Sequence, residues 1–321
     1  MKTKRRGLLG TLLIGILIFT VGFSIAAAPF RVAVVMPSSI SDLAFSQSMY
    51  DALVAIEEKM GSENFEFSYS ENMFNVADAA AAIRDYAIEE YDLVIAHGSQ
   101  YGSSLVEIAP DFPNTGFAHG TTVDTFVDQG VTNVFAYEAR SEEGGYVNGV
   151  LAAQLSKTGI IGVIGPIETG DAKLYVEGFI AGVASINADA VVKVAWIGSF
   201  SDVALASASA ETLINAGADI LTGTAQMVVG AVGVARQQGA LWFGTQSDQT
   251  SLAPEIVVAN QVYDWTGTLE SMIEMIQGGT MGGTAYALTL ANGGLKITVN
   301  AEALVGPTIN SIIDGTIEIE L

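Results

Sequence analysis

The sequence predicts an α/β fold of two similar domains, each a parallel β-sheet with helices on both faces, joined by a hinge of three chain crossovers. Short apolar runs rich in β-branched residues alternate with segments of helical period, which is the pattern of parallel βαβ units. The order of these segments in the first half of the chain recurs in the second half. Three β-rich runs lie where the two halves should join.

The N-terminal segment 1–28 has the composition of a secretory signal. The basic stretch MKTKRRG precedes the apolar run LLGTLLIGILIFTVGFSI and a few small residues. The apolar run is also close to the length of a membrane-spanning helix, about 20 residues, so an uncleaved N-terminal anchor is the alternative. Both versions predict an exported domain on the periplasmic or extracellular side of the membrane. The chain has no cysteine, which excludes disulfides and a cysteine-linked lipid.

The first half begins with the strand pattern RVAVVM, followed by a helix predicted from about Asp42 to Met60. The later strands of this half are predicted in FEFSYS, DLVIAHG, TGFAHG and NVFAYEA. In the second half, IIGVIGPIETGDAKLYVEGF repeats the opening layout of strand, polar loop and helix with an aromatic residue near its start. The segments GADILTGTAQ and ALWFGTQSDQ parallel the later strands of the first half.

Three runs are predicted to cross between the domains: NVFAYEARS (133–141), IVVANQVYDW (256–265) and LKITVN (295–300). They place residues 29–138 and 266–297 in a first lobe, and residues 139–265 and 298–321 in a second lobe that ends in a helix within LVGPTINSIIDG. A hinge of this kind suits a protein that closes on a ligand.

In open parallel sheets, ligands bind beyond the carboxyl ends of the strands. The loops expected there carry hydrogen-bonding side chains and aromatic rings. They contain Ser38, Ser39, Asp42, Phe45, Ser46, Gln47, His97, Gly98, Ser99, Gln100 and His119 in the first half, and Glu168, Asp171, Lys173, Tyr175, Thr224, Gln226, Gln246, Ser247 and Asp248 in the second.

Catalytic and cofactor motifs are missing from the sequence. The two histidines have no carboxylate or cysteine at metal-ligand spacing. GVIGPIETG lacks the residues of a phosphate loop and the spacing of a dinucleotide fingerprint, and no nucleophile elbow occurs. The formal net charge of −22 disfavours nucleic acid and anionic membranes as partners. The sequence therefore predicts a binding protein without metal or cofactor, rather than an enzyme.

Four segments resemble the basic membrane protein family, substrate-binding proteins of ABC transporters that include bacterial purine nucleoside receptors. They are DLAFSQSMYDAL, EARSEEGGYVNGVLAAQLSKTGIIGVIG, LYVEGFIAGVASIN and FGTQSDQ, and they occur in the family's order. The resemblance covers nearly all of the chain after the signal. It implies the two-domain fold of a periplasmic binding protein, similar to type I, with three crossovers.

The resemblance implies that Phe45 and Tyr175 sandwich a purine base, while Asp42 and Ser46 bind polar atoms nearby. Alternative roles are helix capping for Asp42 and core packing for the two rings. The other expected ligand-binding residues are Gln47, His97, Gly98, Thr224, Gln246, Gln261, Tyr263 and Trp265.

The chain departs from the nucleoside-binding members at two positions. Gln246 and Gln261 stand where those members have an acid and a lysine that hold the sugar hydroxyls. A neutral amide forms weaker hydrogen bonds than a charged group. A free nucleobase is therefore as suitable a ligand as a nucleoside.

The resemblance implies a monomeric receptor that delivers a purine-like ligand to permease subunits with a cytoplasmic ATPase. Two alternatives are a ligand sensor for a membrane signalling protein and an enzyme that cleaves nucleosides. The enzyme would need an acid-rich cluster that holds a metal or activates water in the cleft.

Overall fold

The computed structural model describes residues 28–299 and 302–321. The predicted signal, apart from Ala28, lies outside the described residues. In the described part of the chain, none of the helices has both the length and the apolar character required to span a membrane.

Strands and helices alternate along most of the chain. Within the described residues, the strands are β1 (Phe30–Val35), β2 (Phe65–Ser70), β3 (Leu93–His97), β4 (Gly116–Gly120), β5 (Val134–Ala139), β6 (Ile160–Gly165), β7 (Val191–Trp196), β8 (Ile220–Gly223), β9 (Leu241–Gln246), β10 (Val257–Tyr263), β11 (Ala285–Leu288) and β12 (Leu295–Val299). The helices are α1 (Phe45–Met60), α2 (Val76–Ile88), α3 (Gly102–Ile108), α4 (Ser141–Leu155), α5 (Gly170–Ile186), α6 (Val203–Asn215), α7 (Val228–Gln238), α8 (Thr266–Gln277) and α9 (Glu302–Ile313).

The strands form two six-stranded sheets, one in each lobe. The first has the order β11-β5-β4-β3-β1-β2, and all its neighbouring strands run parallel. The second has the order β12-β10-β9-β8-β6-β7 and is parallel except for the antiparallel pair β10 and β12. This architecture confirms the predicted fold class.

Helices cover both faces of each sheet. Successive apolar residues of a central strand point to opposite faces, so the strand packs against helices on both sides. In β1, Val32 and Val34 share a core cluster with Leu53 of α1, whereas Ala33 belongs to the opposite cluster with Ile83 of α2. Parallel strands covered on both faces have this nearly continuous apolar sequence.

In the second sheet, helices α4 and α5 cover one face and helices α6 and α7 cover the other. Val163 of β6 shares a cluster with Phe179 of α5, and its neighbour Ile164 shares the opposite cluster with Ala210 of α6. The strands near the middle of this sheet are therefore also buried on two sides.

Helices α4 and α5 pack at very short range through four glycines, here called the glycine seam: Gly145, Gly149, Gly178 and Gly182. A Cβ atom added to Gly182 would lie 2.1 Å from the carbonyl oxygen of Tyr146, and one added to any of the other three would lie 2.2–2.4 Å from a carbonyl oxygen of the facing helix. Only glycine allows the two backbones to approach this closely.

The chain passes between the lobes three times: from β5 to α4, from β10 to α8, and from β11 to β12. The predicted assignment of residues 266–297 to the first lobe is wrong at its end, because Leu295 begins a strand of the second sheet. The turn that precedes it explains the error. Gly293 has a φ of +74° in the Asn-Gly-Gly turn, so the chain reverses before β12 and returns antiparallel to β10.

Candidate ligand-binding site

A cleft lies between the lobes, at the carboxyl ends of the parallel strands of both sheets. The first lobe lines it with Pro37, Phe45, Phe74, Gly98, Ser99, Gln100 and Thr121, and the second with Thr169, Asp171, Ala172, Phe200, Ala225, Gln226 and Gln246. The cleft contains about 470 Å³ of atom-free space, including its open mouth.

Phe45 forms one wall of the cleft. Helix α1 begins at this residue, and the ring of His97 stacks on the Phe45 ring at 3.7 Å with an interplanar angle of 8°. The edge of Trp265 also faces the Phe45 ring. Phe45 therefore packs in the core of the first lobe and also lines the cleft.

His97 supports Phe45 and does not reach the cleft. Its Nε2 lies 3.0 Å from the carbonyl oxygen of Phe45, and its Nδ1 lies 2.7 Å from the hydroxyl of Tyr137. Since a carbonyl only accepts, Nε2 carries the proton and Nδ1 accepts from Tyr137. Burial lowers the pKa of His97 to about 3, so the ring is neutral at physiological pH.

Phe200, which follows β7, is the aromatic residue that the second lobe contributes to the cleft. The sequence predicted Tyr175 for this role, but Tyr175 is fully buried within the second lobe. Its hydroxyl lies 2.7 Å from Thr222 Oγ1 and accepts from Asn148 at 3.1 Å. Phe45 is the first residue of its helix and Tyr175 the sixth of α5, so Tyr175 lies farther from the cleft end of the helix, by about 1.5 Å per residue.

Asp42 caps helix α1 and is not part of the cleft lining. Its carboxylate accepts from the backbone N–H groups of Ala44 (2.8 Å), Ser46 (3.1 Å) and Gln47 (3.1 Å), and from the Ser38 hydroxyl. Both oxygens are thus engaged, which explains why α1 begins three residues later than predicted. Burial raises the pKa of Asp42, and these hydrogen bonds oppose the rise.

Ser46 and Gln47 also make local contacts instead of lining the cleft. The Ser46 hydroxyl is fully buried and accepts from the backbone N–H of Ser38 at 3.2 Å. The Gln47 side-chain oxygen accepts from the backbone N–H of Leu43 at 3.0 Å. With Asp42, these side chains hold the loop that positions Phe45.

Asp171 is a buried carboxylate at the start of α5, and it lines the cleft. Its Oδ2 accepts from the Tyr263 hydroxyl at 2.9 Å. The Tyr263 hydroxyl lies 2.6 Å from Ser141 Oγ, so this network reaches two of the three crossovers. Burial raises the pKa of Asp171, while the hydrogen bond from Tyr263 lowers it.

Gln246 and Gln261, the two glutamines singled out in the sequence, have different surroundings. Gln246 lines the cleft, and its side-chain oxygen accepts from the backbone N–H of Ala225 at 3.2 Å. Gln261 is fully buried beside Gly144, and neither of its amide atoms has a hydrogen-bond partner among the described residues.

The predicted site residues therefore divide into three groups. Phe45, Gly98 and Gln246 line the cleft. His97, Tyr263 and Trp265 lie behind it and contact lining residues. The remaining predicted residues, which do not line the cleft, are Asp42, Ser46, Gln47, Tyr175, Thr224 and Gln261.

Other lining residues were not among the ligand-binding residues expected from the sequence. Asp171, Gln100 and Gln226 stand in the predicted polar loops without a family motif to mark them, whereas Phe74, Thr121 and Phe200 lie outside those loops. An aromatic residue just after the β7 strand pattern is the signal that could have identified Phe200.

The lobes touch directly at one side of the cleft. Ser247 Oγ donates to the carbonyl oxygen of Ala44 at 2.8 Å, and Gln249 Nε2 donates to the carbonyl oxygen of Leu43 at 3.2 Å. The described residues contain no group of three or more His, Cys, Asp or Glu side chains arranged to hold a metal ion.

Comparisons with known proteins agree with this architecture. The family described as "ABC transporter substrate-binding protein PnrA-like" matches residues 30–319. A purine-binding protein of Brucella abortus is 34% identical over 203 residues, which are 63% of this chain and 56% of that protein. This match therefore spans little more than half of the relative's length.

Two further comparisons cover more of the chain. Basic membrane protein A2 of Borrelia garinii is 26% identical over 243 residues, which cover 73% of this chain and 68% of the relative. A solved ABC transporter solute-binding protein from Aeropyrum pernix is 20% identical and superposes with a TM-score of 0.76, covering 90% of this chain and 93% of that one. At this identity the solved structure supports the fold alone.

Proposed function

Because the chain belongs to the PnrA-like family of ABC transporter substrate-binding proteins, we propose that it binds a purine-like ligand, a nucleobase or a nucleoside, between its two lobes. The protein acts as an exported monomer that delivers this ligand to the permease subunits of an importer with a cytoplasmic ATPase. It performs no chemical reaction on the ligand.

One observation carries the proposal: an aromatic ring from each lobe, Phe45 and Phe200, lines the same cleft. The Phe45 ring is held in place by the parallel ring of His97. A flat heterocycle can stack on such rings, and stacking contributes about 1–3 kcal/mol per base. The likeness to a purine-binding protein of Brucella abortus supports a purine over other flat ligands.

Native mass spectrometry of protein purified without denaturation tests the proposal directly. A co-purified purine base or nucleoside would support it. Calorimetry with added bases and nucleosides that detects no binding would contradict it. Recovery of an unchanged nucleoside after incubation with the protein would separate a receptor from a nucleoside-cleaving enzyme.

Phe200→Ala should weaken purine binding by about 10- to 100-fold, because the ligand loses one of its stacking surfaces. The change should affect stability much less, since Phe200 is only partly buried. Calorimetry and thermal unfolding measure the two effects. Tyr69→Ala is a suitable control, because Tyr69 is an aromatic residue, 41% exposed, that does not line the cleft. Equal affinities for both variants would count against a stacking role for Phe200.

A purine base should bind at least as tightly as its ribonucleoside. Gln246 carries no charge, and Gln261 is buried outside the cleft lining, so neither offers a charged partner to ribose hydroxyls. A hydroxyl buried without a partner costs about 1–3 kcal/mol. Calorimetry with adenine, guanine, adenosine, guanosine and inosine is the measurement. Nucleosides that bind tenfold or more tightly than bases would show that other groups hold the sugar.

A further inference from the structure

Asp171 is the one charged side chain that lines the cleft in the part of the chain that the structure describes. Only 7% of the residue is exposed. Its side-chain hydrogen-bond donor Tyr263 is neutral at physiological pH, as is Gln246, which also lines the cleft. The carboxylate is therefore hydrogen-bonded, but its charge is not balanced by these contacts.

The basic residues nearest to Asp171 in the chain and at the hinge are engaged by other acids. Lys173, two residues along α5, pairs with Glu177 at 3.4 Å. Arg140, at the first crossover, pairs with Glu142. The lining residues of the first lobe, on the opposite wall, include no charged side chain. A buried charge without a counter-charge is costly, so the cleft favours a ligand that stabilises the carboxylate.

Gln226 gives a second, independent indication of what this ligand must provide. Its side-chain oxygen is buried, lines the same cleft and has no hydrogen-bond partner among the described residues. Such an acceptor is usually paired in native proteins. Asp171 and Gln226 thus both offer hydrogen-bond acceptors at the second-lobe wall.

We infer that Asp171 is a specificity-determining residue: it selects neutral or cationic heterocycles that direct an N–H or amino edge toward Asp171 and Gln226. This inference rests on the proposed function, because it specifies which edge of the purine-like ligand the second lobe recognises. Tyr263 acts as a positioning residue that holds the carboxylate in place.

The affinity for such a ligand should depend on pH, because the ligand binds the ionised form of Asp171 better than the protonated form. Burial raises the pKa of Asp171 in the free protein, whereas an N–H donor favours the ionised form and lowers the pKa in the complex. Affinity therefore rises with pH until the pH exceeds the pKa of the free protein, and then becomes constant.

Several charged and titratable groups surround Asp171 besides Tyr263 of β10. Glu138 of β5 is half-buried and interacts electrostatically with Asp171, and Arg140 and Glu142 at the start of α4 interact in turn with Glu138. Burial raises the pKa of Glu138, and it also raises the pKa of Glu143 in the first turn of α4. The contribution of Glu138 must be separated from that of Asp171 by experiment.

The experiment is calorimetric titration of the wild type and Asp171→Asn with adenine, guanine and hypoxanthine from pH 5 to pH 8. At pH 8, Asp171→Asn should weaken binding of the best base by about 10- to 100-fold, the usual effect of losing a hydrogen bond to a charged group. It should also abolish the rise of affinity with pH. Glu138→Gln, the matched control, should keep the rise, with its midpoint at a slightly lower pH.

A Tyr263→Phe variant provides a second test that is independent of the folding of Asp171→Asn. Without the tyrosine hydroxyl, the carboxylate loses a hydrogen bond that lowers its pKa. The rise of affinity should therefore move to higher pH.

The outcomes distinguish the two proposals. Wild-type protein that binds a base, together with an Asp171→Asn variant of equal affinity and unchanged pH profile, overturns the role of Asp171 but leaves the proposed function intact. Wild-type protein that binds none of the bases or nucleosides overturns both.

Discussion

Tyr175→Ala should lower the free energy of unfolding by about 3–5 kcal/mol, the usual cost of removing a buried aromatic side chain. Tyr175 is fully buried and packs near Phe179. Thr222 donates to the carbonyl oxygen of Phe243, so the Tyr175 hydroxyl donates to Thr222 and accepts from Asn148. Truncation would leave a cavity and unpaired polar groups in the second lobe. Urea denaturation at constant pH measures the loss.

Tyr175→Phe is the matched control because it keeps the ring and removes only the hydroxyl. It should cost about 1 kcal/mol, the net contribution of an ordinary buried hydrogen bond. Burial raises the pKa of Tyr175 to about 12, so its hydroxyl remains protonated at physiological pH. A Tyr175→Ala variant of wild-type stability with much weaker purine binding would return Tyr175 to the ligand site.

Gly182→Ala should destabilise the protein by about 3 kcal/mol or more, at the upper end of the usual cost of overpacking. The added methyl group would lie 2.1 Å from the carbonyl oxygen of Tyr146, and a backbone atom can move away only if the two helices separate. The glycine seam leaves no space for this separation without loss of the other short contacts. Thermal or urea unfolding of the variant gives the change in stability.

Gly233→Ala in α7 is the control for the helical effect of the substitution. No atom lies within 4 Å of a Cβ built on Gly233, so the methyl group meets no obstacle there. Alanine is favoured over glycine inside a helix by about 0.5–1 kcal/mol, and this variant should gain stability. If both glycine variants were equally stable, the seam would not be as tight as the geometry indicates.

The sequence predicted the layered architecture well because it follows from residue periodicity. Apolar strands alternating with helical segments have few ways to bury both faces of a sheet. The third crossover was predicted a few residues too late because the chain turns at Gly293. The sequence pattern of β12 predicts a strand, but it does not indicate which of the two sheets this strand joins. The antiparallel pairing of β12 with β10 is a tertiary contact.

The site was harder to predict because it depends on where each side chain points and on how far each residue lies from the cleft. Asp42 and Asp171 are both acids close to the start of a helix, yet one caps its helix and the other lines the cleft. Tyr175 and Phe200 differ in their distance from the end of the sheet, which sequence spacing does not give. The family resemblance implied a cleft role for Phe45, and the structure places this residue at the cleft as the first residue of α1.

The hydrogen bonds between the lobes affect the lifetime of a complex. Ser247 and Gln249 of the second lobe bond to the backbone of Ala44 and Leu43, the two residues immediately before Phe45. A ligand stacked on Phe45, as proposed above, would lie beside these contacts, which oppose separation of the lobes. We therefore expect substitutions of Ser247 or Gln249 to alter the dissociation rate of a bound ligand more than its association rate.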